Sequence, residues 1–171
     1  NTIENASYKT STTVALNITG NEDLNWAGYE LNGGALQDMT NTTLRKWNAS
    51  LSGLVEESTN DLIVYANDTS DNQGNKTIIF YVDTLAPRYS NVQADPSSAN
   101  ESDDVVCKVY WNDTFGFSSV KIAENSSGTF ENHTTELTEA GWANYTLLNM
   151  EKGDYECRFY ITDLAGNSNS T

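Results

Sequence analysis

A chain of 171 residues with 37% apolar content has room for one modest core or two small ones, and 24 carboxylates against nine Lys and Arg leave a net charge of −15. That balance repels phosphate backbones and anionic lipid, which excludes nucleic acid as a partner. No run of 18 apolar residues occurs, so no helical membrane insertion is expected. The start at Asn1, without Met or an apolar leader, reads as a processed, excised or truncated end, with any signal or anchor outside the sequence.

Short alternating runs broken by Asn, Asp, Gly, Ser and Thr fill the first half, and no stretch keeps a 3.6 period for three turns. Val14, Leu16 and Ile18 alternate with Ala15, Asn17 and Thr19, as a half-buried strand requires. Leu24 to Leu31 follows, closed by the turn Asn32-Gly33-Gly34. Trp47, Ala49 and Leu51 form an inward row opposite Asn48, Ser50 and Ser52. Leu62, Val64 and Ala66 make the next row; after a loop ending in Gly74-Asn75 the chain returns as Lys76 to Val82, with Ile78, Phe80 and Val82 inward. These two runs predict a hairpin. Asp83-Thr84-Leu85-Ala86-Pro87 ends it, because Pro cannot donate to a sheet ladder.

From Arg88 the same order recurs. Val105, Cys107, Val109 and Trp111 form an inward row, Val120 and Ile122 the next, Tyr145 and Leu147 a later one. Tyr155, Cys157, Phe159 and Ile161 then face in, opposite Glu156, Arg158, Tyr160 and Thr162. Asn48-Ala49-Ser50-Leu51 overlays Asn144-Tyr145-Thr146-Leu147, and Ala66-Asn67-Asp68 overlays Ile161-Thr162-Asp163. Gly74-Asn75 answers Gly166-Asn167, with three extra residues in the first loop. A repeat of about 90 residues with some seven strands per copy is the size of an immunoglobulin-like sandwich. The expectation is an all-β chain of two tandem sandwiches, residues 1–86 and 87–171. Laid against Lys76 to Val82, the last strand of the second copy should begin near Asn169-Ser170-Thr171, so that copy lacks its last strand within this chain.

Cys107 and Cys157 lie on the inward faces of the second and sixth strands, from which two sheets can be tied, and Tyr155 stands where a tyrosine corner places it. A disulfide is expected, the alternative being two buried thiols; the bridge places the domain outside the reducing cytosol. In the first half Leu16, Leu62 and Asn60 take the places of the two cysteines and the tyrosine, so its core is expected to hold by apolar packing alone.

Asn-x-Ser/Thr occurs twelve times, at Asn5, Asn17, Asn41, Asn48, Asn67, Asn75, Asn100, Asn112, Asn125, Asn132, Asn144 and Asn169. With 21 Asn and 36 Ser or Thr, random placement gives about four. The excess predicts an N-glycosylated extracellular protein from an archaeal or eukaryotic source.

No catalytic site is expected and the chain reads as a non-enzyme. His133, the sole imidazole, sits in a polar segment and reads as solvated, with no nucleophile elbow beside it. Asp68, Asp71, Asp83 and Asp163 offer hard oxygen ligands for Ca²⁺, but without dense Asp-x-Asp spacing they read as caps of their own turns. Neither a metal nor a cofactor is expected. Trp142 and the outward Tyr65, Tyr81, Tyr110 and Tyr160 are the candidates for a sugar platform.

YANDTSDNQGNKTIIFYVDTLAP and FYITDLAGN resemble the closing strands of immunoglobulin-like repeats in archaeal and bacterial cell-surface proteins of the surface-layer, adhesin and filament type, and LNWAGYELNGG resembles their third strand and turn. The resemblance implies repeat architecture and no particular ligand. Together these readings give a structural, glycan-coated unit of an extracellular filament or surface array, its partners being neighbouring repeats or other copies of itself. The missing strand comes either from chain beyond Thr171 or from a neighbour by strand addition, for which Asn1 to Thr13 is the available donor. An adhesin or carbohydrate-binding module is the alternative.

Overall fold

A computed structural model describes residues 3–138 and 141–171, and every regular element in them is a β-strand. The chain divides into two compact units, Asn1–Thr84 and Leu85–Thr171. In the first, β1 (Tyr8–Lys9), β2 (Val14–Thr19), β3 (Leu24–Leu31), β4 (Gln37–Asp38), β5 (Thr40–Thr43), β6 (Lys46–Leu51), β7 (Ser58–Asp68) and β8 (Gln73–Val82) form two sheets, ordered β1-β8-β7-β3-β4 and β2-β6-β5. In the second, β9 (Arg88–Asp95), β10 (Val105–Asn112) and β13 (Trp142–Leu147) make a sheet ordered β13-β10-β9. Facing it, β11 (Phe117–Glu124), β12 (Glu131–Thr135), β14 (Cys157–Asp163) and β15 (Ser168–Ser170) are ordered β12-β11-β14-β15. Each unit is an immunoglobulin-like sandwich.

Period-two alternation decides which side chains enter each core. In the first unit Leu16, Leu51, Leu62, Phe80 and Val82 are almost fully buried, and Ile18 and Ala49 pack against them. In the second, Val109, Trp111, Ile122, Ala143, Phe159 and Ile161 do the same. Burying each large apolar side chain contributes about 1.5–3 kcal/mol. The two copies share register: Leu16 pairs with Ala49 as Cys107 pairs with Tyr145, so the leucine does occupy the cysteine's place. Gly28 is required by its neighbour, because a Cβ there would lie 2.4 Å from the Trp26 ring that crosses it on the same face.

Three local readings are corrected. The hairpin loops have equal length: Asn67 pairs with Gln73 and Thr162 with Ser168, a constant offset of 95, so there is no three-residue insertion. Asp71, at φ 65°, does the backbone work of Gly166, at φ 99°, and Asn72 rather than Asn75 is the counterpart of Asn167. The last strand of the second unit does begin, as β15, and covers only three residues.

Packing in the first unit is also not purely apolar. Asn60, fully buried, accepts hydrogen bonds at Oδ1 from Val55 N–H (2.8 Å) and Asn32 Nδ2 (2.9 Å), while its own Nδ2 donates to Val55 O (2.8 Å). This amide closes the corner that Tyr155 closes in the second unit by donating from its hydroxyl to Glu151 O at 2.9 Å. Tyr155 precedes β14 and is 36% exposed, so its ring is not in the core.

Cys107 and Cys157 are joined across the second sandwich, their Cα atoms 6.4 Å apart and 50 residues apart in sequence. A loop of that size stabilises by about 4 kcal/mol on the chain-entropy account. Reductant is expected to lower the melting temperature of the second unit and leave the first unchanged in calorimetry of the whole chain; equal shifts in both would contradict this assignment. Asn60→Ala should act conversely, destabilising the first unit by about 1–3 kcal/mol because Val55 N–H and the Asn32 amide lose a buried acceptor.

Candidate functional site

The strongest candidate is the edge of the second unit formed by β14 and β15. It is built from the turn upward. Asp163 ends β14, and its Oδ1 accepts the N–H groups of Gly166 (2.7 Å) and Asn167 (2.9 Å) while Oδ2 accepts from Asn167 Nδ2 (3.0 Å). Asp68 holds the first unit's turn in the same way, through Ser70 N–H (2.7 Å), Asn72 N–H (2.9 Å) and Asn72 Nδ2 (2.8 Å). These two carboxylates therefore cap their own turns, as expected. Each turn launches a returning strand in the same register.

In the first unit that strand runs on to Val82. Pairing continues through Leu62–Ile78, Asn60–Phe80 and Ser58–Val82, and β1 then lies parallel to β8 with Tyr8 opposite Tyr81. In the second unit the ladder reaches Tyr160–Ser170 and closes with Thr171 N–H donating to Phe159 O at 3.0 Å. At the shared offset of 95 residues, Thr171 stands where Lys76 stands in the first unit. On the facing sheet the first strand, β9, pairs with β10 and carries only exposed residues.

Between these edges lies a groove of about 190 Å³, lined by Val92, Val105, Leu147, Tyr155, Cys157 and Phe159 among others. Val92 is 52% exposed there. The same space in the first unit is occupied by Phe80 and Val82, both at 0%. The groove is apolar because its walls include core residues of the sandwich.

The expected N-terminal donor is already engaged. Ile3 is buried in the first unit's own core, Asn5 Oδ1 accepts from Ile79 N–H at 3.0 Å, and Ala6 N–H donates to Ile79 O at 2.7 Å. The first two residues of that stretch lie outside the described residues.

Of the twelve acceptor asparagines, Asn5, Asn17, Asn41, Asn75, Asn100, Asn112, Asn132 and Asn144 are exposed. Asn48, Asn67, Asn125 and Asn169 are half-buried. Asn17 and Asn48 are direct cross-strand partners, and Asn169 Nδ2 donates to Pro87 O at 2.8 Å. The aromatic candidates do not form one platform. Tyr110 and Trp142 pair edge to face on the β10–β13 sheet at 5.7 Å, Tyr160 stands on the other sheet of that unit, and Tyr65 and Tyr81 belong to the first unit.

His133 is not the solvated side chain that its polar neighbours suggest. Its Nε2 lies 2.9 Å from Glu124 Oε1, its ring stacks on Tyr145 at 4.7 Å, and its side chain is 29% exposed. Burial pushes the Glu124 carboxyl up, but hydrogen bonds from Ser126 and His133 outweigh this and hold it below the usual glutamate range. The Asn72 side-chain amide, aided by backbone N–H groups, likewise lowers Asp68.

No protein-family model matches the chain, and no curated protein does. Among solved structures, a three-domain fragment of titin (domains A168–A170) superposes with a TM-score of 0.64 at 15% identity, covering 98% of this chain and 58% of that one. The eight N-terminal immunoglobulin domains of Down Syndrome Cell Adhesion Molecule superpose with 0.51 at 12% identity, covering 100% and 26%. The chain thus spans about three-fifths and one-quarter of the lengths of these structures. At such identities the likeness establishes the fold, a tandem of immunoglobulin-like repeats.

Asp68 and Glu124 have depressed folded-state pKa values, so each contributes stability that is present above the ordinary carboxylate range and lost as the pH falls through and below it. Asn72→Ala is expected to destabilise the first unit at neutral pH, with the gap to the parent narrowing on acidification. Denaturant melts across pH 2–7 would check this, and a gap independent of pH would refute it.

Proposed function

We propose that the chain is a glycan-coated structural unit of an extracellular filament or surface array whose β14 edge is extended by a further strand, supplied by chain following Thr171 or by a neighbouring unit. The observation that carries this reading is the apolar groove at the point where the β14–β15 ladder stops. The first unit supplies a template for the occupant: an extended segment antiparallel to β14, with apolar side chains where Ile78, Phe80 and Val82 stand in their own sandwich. Each such side chain would contribute about 1.5–3 kcal/mol on burial, and the backbone would extend the ladder. Asn1 to Thr13 is a poor occupant, because it would first have to leave its own core.

The disulfide supports an oxidising compartment. Eight exposed acceptor asparagines support a sugar coat, which would cover sheet faces and obstruct proteolysis. A carbohydrate-binding role draws support only from the Tyr110–Trp142 pair, which offers one half-buried indole rather than a stacking surface.

Extending the chain after Thr171 with the sequence of Thr77 to Val82 is expected to raise the melting temperature of the second unit and protect Cys157 from reductant. A version with the apolar residues moved by one position should do neither, because a one-residue slip turns the side chains to solvent. Equal behaviour of the two extensions would overturn the strand-addition reading. Separately, mass spectrometry of native material is expected to find hexose-containing modification at the exposed acceptors; an unmodified chain would remove the glycan part.

A further inference from the structure

We propose that Glu124, Glu131 and His133 form a binding site for a divalent transition-metal ion of the Zn²⁺ class at the turn end of the β11–β12 hairpin. The proposal is independent of the strand-addition reading. It starts from register. Glu124 and Glu131 are direct cross-strand partners, and His133 follows Glu131 by two residues, so period-two alternation brings all three to one face of the hairpin. One donor atom from each lies within 4.8 Å of the others. In a tetrahedral site with metal–ligand distances near 2.0–2.1 Å, donor atoms sit about 3.3 Å apart, so small side-chain rotations close the set.

Two carboxylates face each other directly across this pair. Like charges directly opposite each other in an antiparallel ladder repel, and Glu124 is 4% exposed, so water screens it poorly. A divalent ion would neutralise this pocket more completely than a protonated imidazole can.

The surroundings also orient the ligands. Ser126 N–H donates to Glu124 Oε2 at 2.6 Å and Ser127 Oγ donates to Glu131 Oε1 at 2.7 Å, so the hairpin turn fixes both carboxylates. Stacking on Tyr145 fixes the plane of His133 and leaves Nε2 directed at Glu124. Such outer contacts are what tune ligand geometry in metal sites. One imidazole nitrogen with two carboxylate oxygens suits Zn²⁺; Ca²⁺ and Mg²⁺ prefer oxygen alone. Glu131 is exposed, so water can complete the coordination.

His133 is the sole histidine of the chain, which makes the test direct. Untagged full-length protein at pH 7.5 is titrated with ZnCl₂ while the imidazole ring protons are followed by NMR and the stoichiometry by calorimetry. The expected result is one equivalent bound with displacement of the imidazole resonances, and no such displacement by CaCl₂. Glu131→Gln, at an exposed position with little effect on the fold, should weaken Zn²⁺ by at least about tenfold. His133→Gln should abolish the one-to-one binding, with near-parent melting of the metal-free variant showing that the sandwich is intact. Absence of imidazole displacement, or unchanged affinity in Glu131→Gln, would overturn the proposal.

Discussion

Capture of turn N–H groups by a single carboxylate sets the register on which both sandwiches depend. Asp68 and Asp163 each fix a turn of the same length, and the turn decides which residues of the returning strand face inward. In the first unit this places Phe80 and Val82 in the core. In the second the same register is established over Ser168 to Thr171. The groove thus lies beside a correctly formed hairpin and not a distorted one.

Much of this was legible in the chain because alternation is a local signal. The inward rows from Val14 to Ile18, from Trp47 to Leu51 and from Val105 to Trp111 could be read by phase alone, and the phase of Cys107 and Cys157 carried their pairing. The turn alignment was not legible, because matching Gly-Asn to Gly-Asn compares letters where the physical requirement is a positive φ. Asp71 meets that requirement without being glycine. His133 was misread for a different reason. Its sequence neighbours are polar, but its burial comes from Glu124 on the partner strand of its hairpin and from Tyr145 on the facing sheet, which reach it only once the strands pair and the sheets pack. The closing of the first unit's corner by Asn60 was hidden likewise, since an amide and a tyrosine share no sequence signature.

The polar groups buried in each unit occupy similar stations. Asn60 satisfies the corner before β7 bends inward, Glu124 is satisfied where β11 turns to β12, and the two turn aspartates satisfy the end of each hairpin. Backbone groups at these bends cannot join a ladder, and burial without a partner would cost about 1–3 kcal/mol apiece. A strongly acidic chain can supply such acceptors from side chains it already has in excess. Acidity here is therefore partly internal architecture as well as a solvated surface.

The parallel placement of β1 beside β8 bears on what happens when the chain is pulled. Ala6 N–H to Ile79 O, Tyr81 N–H to Ser7 O and Asp83 N–H to Lys9 O link the first and last strands of the unit. Opposed forces on the two ends of that unit load these bonds together in shear rather than one after another. The second unit resists differently. Once its sheets part, the bridge keeps residues 107–157 looped, so the stretch between the two cysteines cannot extend. The first unit would thus oppose the onset of extension and the bridge of the second its length.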